Sequence, residues 1–127
     1  MNFKKYLELF DAQKKIDKLS KRYRNKKVAI YGAGQFFNEI FQNYDLSKLN
    51  IVAVADKKFE DESKKGFFGL NCIKPSELGN IDCDAILISN FNYLFFNKLL
   101  NEEILFMSKN ADIEIKPLIK LEIGDFL

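Results

Sequence analysis

At 127 residues, with 47% hydrophobic and 30% charged side chains, the chain has the composition of a folded globular domain, with length for one core and not for a second substrate domain. It contains no histidine, which removes the commonest general base, the Ser-His and Cys-His nucleophile pairs and most zinc sites. The net charge of +2 conceals an asymmetry: residues 1 to 27 carry ten Lys and Arg against three acids, a net +7, and the remainder ten against fifteen, a net −5.

Residues 3 to 25 are predicted to form one basic amphipathic helix, because Phe3, Tyr6, Leu7, Phe10, Ile16, Leu19 and Tyr23 recur at spacings of three, four and six with no Gly or Pro between them. Lysines fill its other face. Such a helix either packs its aromatic stripe on the domain with its lysines solvated, or meets a partner enzyme or a second copy of the chain. No aromatic and basic interleaving continues elsewhere, so a nucleic-acid surface is not expected.

The centre of the sequence is Lys27-Val28-Ala29-Ile30-Tyr31-Gly32-Ala33-Gly34-Gln35-Phe36-Phe37. A short apolar run, two glycines one residue apart and then Phe36, Phe37, Ile40, Phe41 and Tyr44 at helical spacing predict strand, tight turn and helix. Gly32 permits a sharp turn, and Gly34 lets backbone N–H groups approach a ligand. A helix starting near Gln35 directs its N-terminal donors at that ligand, which favours phosphate. Phe37 stands where the G-x-G-x-x-G pattern of dinucleotide-binding turns has its third glycine, so the helix is expected to sit further from the strand.

Ile51-Val52-Ala53-Val54-Ala55-Asp56 is apolar on both faces, as an inner parallel strand requires. Asp56 ends it at the place where a dinucleotide fold sets the acid that accepts from a ribose; the competing reading is an Asp that caps the turn after it. Residues 57 to 71 are predicted as a polar loop, Cys72-Ile73 as a short strand and Pro75-Ser76-Glu77-Leu78 as a one-turn helix with proline at its start. Ala85-Ile86-Leu87-Ile88-Ser89-Asn90 reads as a further strand whose last two residues face the ligand edge of a parallel sheet or cap the next helix. Residues 92 to 109 form a helical pattern. Ile113 to Ile119 reads as an edge strand, where Pro117 is tolerated.

Cys72 and Cys83 lie apart from other ligand types and are expected to be buried thiols. No apolar run approaches the roughly 20 residues of a membrane span, and the N-terminus lacks a signal-peptide core, so a cytoplasmic protein is expected. Tyr23 and Lys27 have the four-residue spacing of a proton-transfer pair, but they precede the glycine turn; Tyr93 has Asn97 at that spacing. Too few strands remain for a methyltransferase sheet. Glu60-Asp61-Glu62 and Glu102-Glu103 read as solvated charges.

Taken in order, "VAIYGAG", "IVAVAD", "GFFGLNCIKPSEL" and "DCDAILISN" resemble the small Rossmann modules of bacterial surface-glycan biosynthesis proteins, which stand beside methyltransferase, acetyltransferase or glycosyltransferase domains. The resemblance covers residues 27 to about 119. It implies an α/β, Rossmann-like three-layer fold with a mostly parallel sheet of about four or five strands, with residues 1–26 as an N-terminal amphipathic helix and 27–127 as the nucleotide-binding domain. It further implies a nucleotide-sugar or NAD(P) ligand, with Gly32, Ala33, Gly34 and Gln35 lining its phosphates, Asp56 its ribose, and Ser89 and Asn90 the far wall. The expected function is a nucleotide or nucleotide-sugar binding module, accessory or regulatory in glycan assembly and not catalytic on its own. The alternatives are an NAD(P)-dependent sugar-modifying oxidoreductase or epimerase fragment and a ligand-free interaction module.

Overall fold

The computed structural model describes residues 2–60, 69–90 and 113–120. Helices α1 (Phe3–Leu9) and α2 (Ala12–Arg22) lead into strand β1 (Lys27–Tyr31), helix α3 (Gln35–Asn43) and strand β2 (Asn50–Ala55). A 3-10 turn over Lys57–Glu60 comes next, then β3 (Cys72–Ile73), a second 3-10 turn over Pro75–Asn80, β4 (Ala85–Ile88) and β5 (Glu114–Pro117). The helical pattern of residues 92 to 109 lies outside the described residues.

The strands form one sheet in the order β3-β2-β1-β4-β5, and every pairing is parallel. This is the α/β class expected from the sequence, with the strand order of the doubly wound nucleotide-binding folds. β1 is central because its Val28-Ala29-Ile30-Tyr31 run is apolar on both faces and wholly buried. Side-chain alternation along the strands divides the core. Val28, Ile30, Val54, Ala85 and Leu87 point to the face that carries α1, α2 and α3, whereas Ala29, Tyr31, Ala53, Ala55, Ile86 and Ile88 point to the face packed by Leu78 and Cys83. β5 is an edge strand, and its Pro117 sits opposite Ile88.

The N-terminal segment is two helices, not the single one expected over residues 3 to 25. Phe10 ends α1, and Asp11 takes the left-handed conformation at φ 52° before α2 begins. The reason lies in the spacing of the stripe. Six residues from Phe10 to Ile16 rotate a continuous helix by roughly 240°, which would turn the second half of the stripe away from the first. The break at Asp11 resets the phase, so that Leu7, Ala12, Ile16 and Tyr23 all enter the core cluster that holds Val28, Ile30 and Leu87. At about 1.5–3 kcal/mol for each large apolar side chain buried, this packing fastens both helices to the sheet. Lys4, Lys5, Lys14, Lys18 and Lys21 remain exposed.

Tyr23 and Arg22 also reach the far edge strand. The Tyr23 hydroxyl donates to Glu114 Oε2 at 2.7 Å, and Arg22 Nη2 to Glu114 Oε1 at 2.9 Å. These bonds tie the end of α2 to β5.

Candidate functional site

Strand β1 ends in a turn that only glycine can make. Gly32 has φ +110°, a value L side chains rarely adopt, and a Cβ there would lie 2.7 Å from the carbonyl oxygen of Ser89. The turn and the end of β4 therefore touch backbone to backbone. Gly32 N–H donates to the carbonyl of Ala55 at 2.9 Å, and Ser89 N–H to the carbonyl of Tyr31 at 2.8 Å, so three strand ends are locked side by side.

Gly34 differs. Its φ of −86° and ψ of −161° are extended backbone open to any residue, and a Cβ would meet nothing within 4 Å. It is the N-cap of α3 and supplies no side-chain hydrogen bond, so the first-turn donors of that helix receive no oxygen from their own cap. Gly34 and Gln35 are both exposed. The glycine at 34 thus leaves a space at the positive end of a helix that no described residue fills within 4 Å of a Cβ there. Phe37, in the third-glycine position, is fully buried and joins the core beside Phe41, 5.9 Å away between ring centres. Its side chain fills the space between α3 and the sheet, away from the exposed turn.

Ser89 directly follows β4. Only 2% of its surface is exposed, and its Oγ is the one buried side-chain oxygen or nitrogen among the described residues without a hydrogen-bond partner. An unpaired buried hydroxyl costs about 1–3 kcal/mol. Asn90 is half-buried directly after it.

Asp56 stands at the end of β2 as expected, and both of its oxygens are engaged by the protein. Oδ2 accepts from Ala33 N–H at 2.7 Å, and Oδ1 from Lys58 N–H at 3.0 Å. The same residue therefore caps the 3-10 turn and clasps the glycine turn. Lys58 closes the loop by donating from Nζ to the carbonyl of Ala33. Sequence reasoning passed over Lys58; the available signal was a cation two residues after an acid at a strand end.

Residues 24–110 match the family model described as C2185-like, N-terminal. The chain belongs to this C2185-like N-terminal family. No curated protein and no solved structure matches the chain. The family segment starts just before β1 and includes the glycine turn, Asp56, Lys58 and Ser89.

Beside the turn, Asn2, Phe3, Gln35, Asn38 and Glu39 line an open groove of about 620 Å³. Phe3 anchors α1 there by an edge-to-face contact with Phe36 at 5.3 Å. Tyr23 and Lys27 do not meet as a proton-transfer pair: the tyrosine bonds Glu114, and Lys27 pairs with Asp82 at 2.9 Å. Burial holds the Tyr23 hydroxyl above its ordinary value, reinforced by Glu114. Cys83 is buried, and burial pushes its thiol up; Cys72 is half-buried, and its thiol donates to the carbonyl of Leu70 at 3.5 Å. Among the described residues no helix is long and apolar enough to cross a membrane.

Proposed function

We propose that the chain is a nucleotide or nucleotide-sugar binding module whose ligand seats its phosphates on the turn Gly32-Ala33-Gly34-Gln35, between the N-terminus of α3 and the end of β4. The observation that carries the reading is the buried, unpartnered Ser89 hydroxyl beside a turn whose second glycine leaves open space. The site lies outside the carboxyl ends of the central parallel strands, where α/β sheets bind ligands. An accessory or regulatory role in glycan assembly rests on the resemblance of the four sequence segments to the surface-glycan modules. With Tyr23 and Lys27 bonded elsewhere, the described residues favour binding over turnover, and catalysis falls to another domain or chain.

Thermal unfolding against UDP, UDP-sugars, NAD(H), NADP(H), S-adenosylmethionine and coenzyme A tests this. A ligand at about 100 times its Kd adds about 2.7 kcal/mol, a rise of several degrees that Gly34→Trp should abolish by filling the open space. No rise with any of these ligands, or a rise that persists in Gly34→Trp, overturns the reading.

A further inference from the structure

In a dinucleotide fold, the acid that ends the second strand is exposed to the ribose and accepts hydrogen bonds from its hydroxyls. Asp56 occupies that place but spends one bond from each oxygen on backbone, to Ala33 N–H at 2.7 Å and Lys58 N–H at 3.0 Å. These bonds do two things at once. One fixes the Gly32–Ala33 peptide through its N–H; the other fixes the backbone of Lys58, whose ammonium donates to the carbonyl of Ala33, in the next peptide, which leads into Gly34. The strand end therefore brings a cation to the mouth of the glycine turn.

We infer that Lys58 is the residue that selects the ligand at this turn, by pairing its ammonium with a phosphate oxygen, and that Asp56 is a positioning residue that holds the turn and the lysine in place. The inference rests on the reading of the turn as a phosphate site. A phosphate oxygen is charged and makes a hydrogen bond roughly twice as strong as a neutral acceptor does. The flexible four-carbon stem and three donors of lysine let the ammonium keep its bond to Ala33 and add a phosphate. Two further elements border the same turn: the exposed N-terminus of α3, and the end of β4, whose Ser89 backbone lies against Gly32. Recognition then depends on the number of phosphates and little on the ribose diol.

The test is calorimetric titration of the full chain with uridine, UMP, UDP and 2′,3′-dideoxy-UDP at low and moderate salt. Wild type should bind UDP more tightly than UMP and UMP more tightly than uridine, with UDP and its dideoxy form alike. Lys58→Gln should weaken UDP by about 10- to 100-fold, the range of a lost charged hydrogen bond, flatten its salt dependence and leave uridine unchanged; Lys58→Arg should restore most of the loss. UDP binding to Lys58→Gln with wild-type affinity and salt slope overturns the role of Lys58. A dideoxy ligand bound ten-fold more weakly than UDP, with that difference abolished in Asp56→Asn, assigns Asp56 to the ribose and overturns the positioning role. Both outcomes leave the site itself standing if Gly34→Trp still blocks UDP. If wild type binds none of the probes, or Gly34→Trp binds UDP as wild type does, the site falls and Lys58 with it.

Discussion

Alanine at each of the two turn glycines should have opposite consequences, because the fold needs one and leaves the other to the ligand. Gly32→Ala forces a Cβ onto φ +110° and to within 2.7 Å of a backbone oxygen that is held by β4. Backbone strain of this kind costs about 1–3 kcal/mol, and overpacking a similar amount. The sum, roughly 2–5 kcal/mol, is a large part of the 5–15 kcal/mol that holds a typical domain together. Gly34→Ala meets no atom. Its reduction of unfolded-state entropy contributes about 0.4–1 kcal/mol, offset by the poorer N-cap quality of alanine at about 0.5–1 kcal/mol. The net change should stay within about 1 kcal/mol. Urea unfolding tracked by circular dichroism reads both variants on one scale. Equal losses would refute the reasoning, since they would mean that Gly34 is also a structural requirement and that its open space is no sign of a ligand.

Three other outcomes are expected. Ser89→Ala removes a buried hydroxyl with no partner, so urea unfolding should show unchanged stability or a gain of up to about 1–2 kcal/mol; a loss above about 1 kcal/mol would mean that the hydroxyl is satisfied. Glu114 is held below the ordinary 4.5 by the Tyr23 hydroxyl first and Arg22 second. Its contribution is present above that value and is lost as pH falls through the lowered one. Tyr23, raised above 10.0, contributes below 10.0 and loses its contribution as pH rises past the raised value. Tyr23→Phe should therefore flatten both flanks of the Tm-against-pH curve, and parallel curves for the two proteins would contradict the pairing. Asp11→Gly relieves a left-handed residue at φ 52° and should leave stability unchanged or raise it by up to about 1 kcal/mol; a drop of about 2 kcal/mol in a thermal melt would show that Asp11 does more than turn the chain.

Much of the fold was legible because its signals are local. Val28 to Tyr31, Ile51 to Ala55 and Ala85 to Ile88 are short apolar runs bounded by glycine or polar residues, and each is a parallel strand, the first and last buried throughout and the second buried from Ala53 to Ala55. The break at Asp11 was not legible from composition, because an aspartate can enter the left-handed region without a glycine to announce it. Its trace in the sequence was the six-residue gap in the apolar stripe. Asp56 was placed correctly at its strand end, but what its carboxylate does depends on Ala33, 23 residues away in sequence and adjacent only after β1 and β2 pair. Lys58 escaped for the same reason: its ammonium reaches the turn only through that pairing.

The central claim, a phosphate-bearing nucleotide on the glycine turn, is tested most directly by the backbone amide spectrum of the 15N-labelled chain during titration with UDP. Saturable shifts are expected, concentrated at Gly32 to Phe36, Lys58, Ser89 and Asn90, with residues of α2 and β5 unmoved. Shifts centred elsewhere, or none at millimolar UDP in a chain that also ignores nucleotide-sugars and NAD(P), would contradict it.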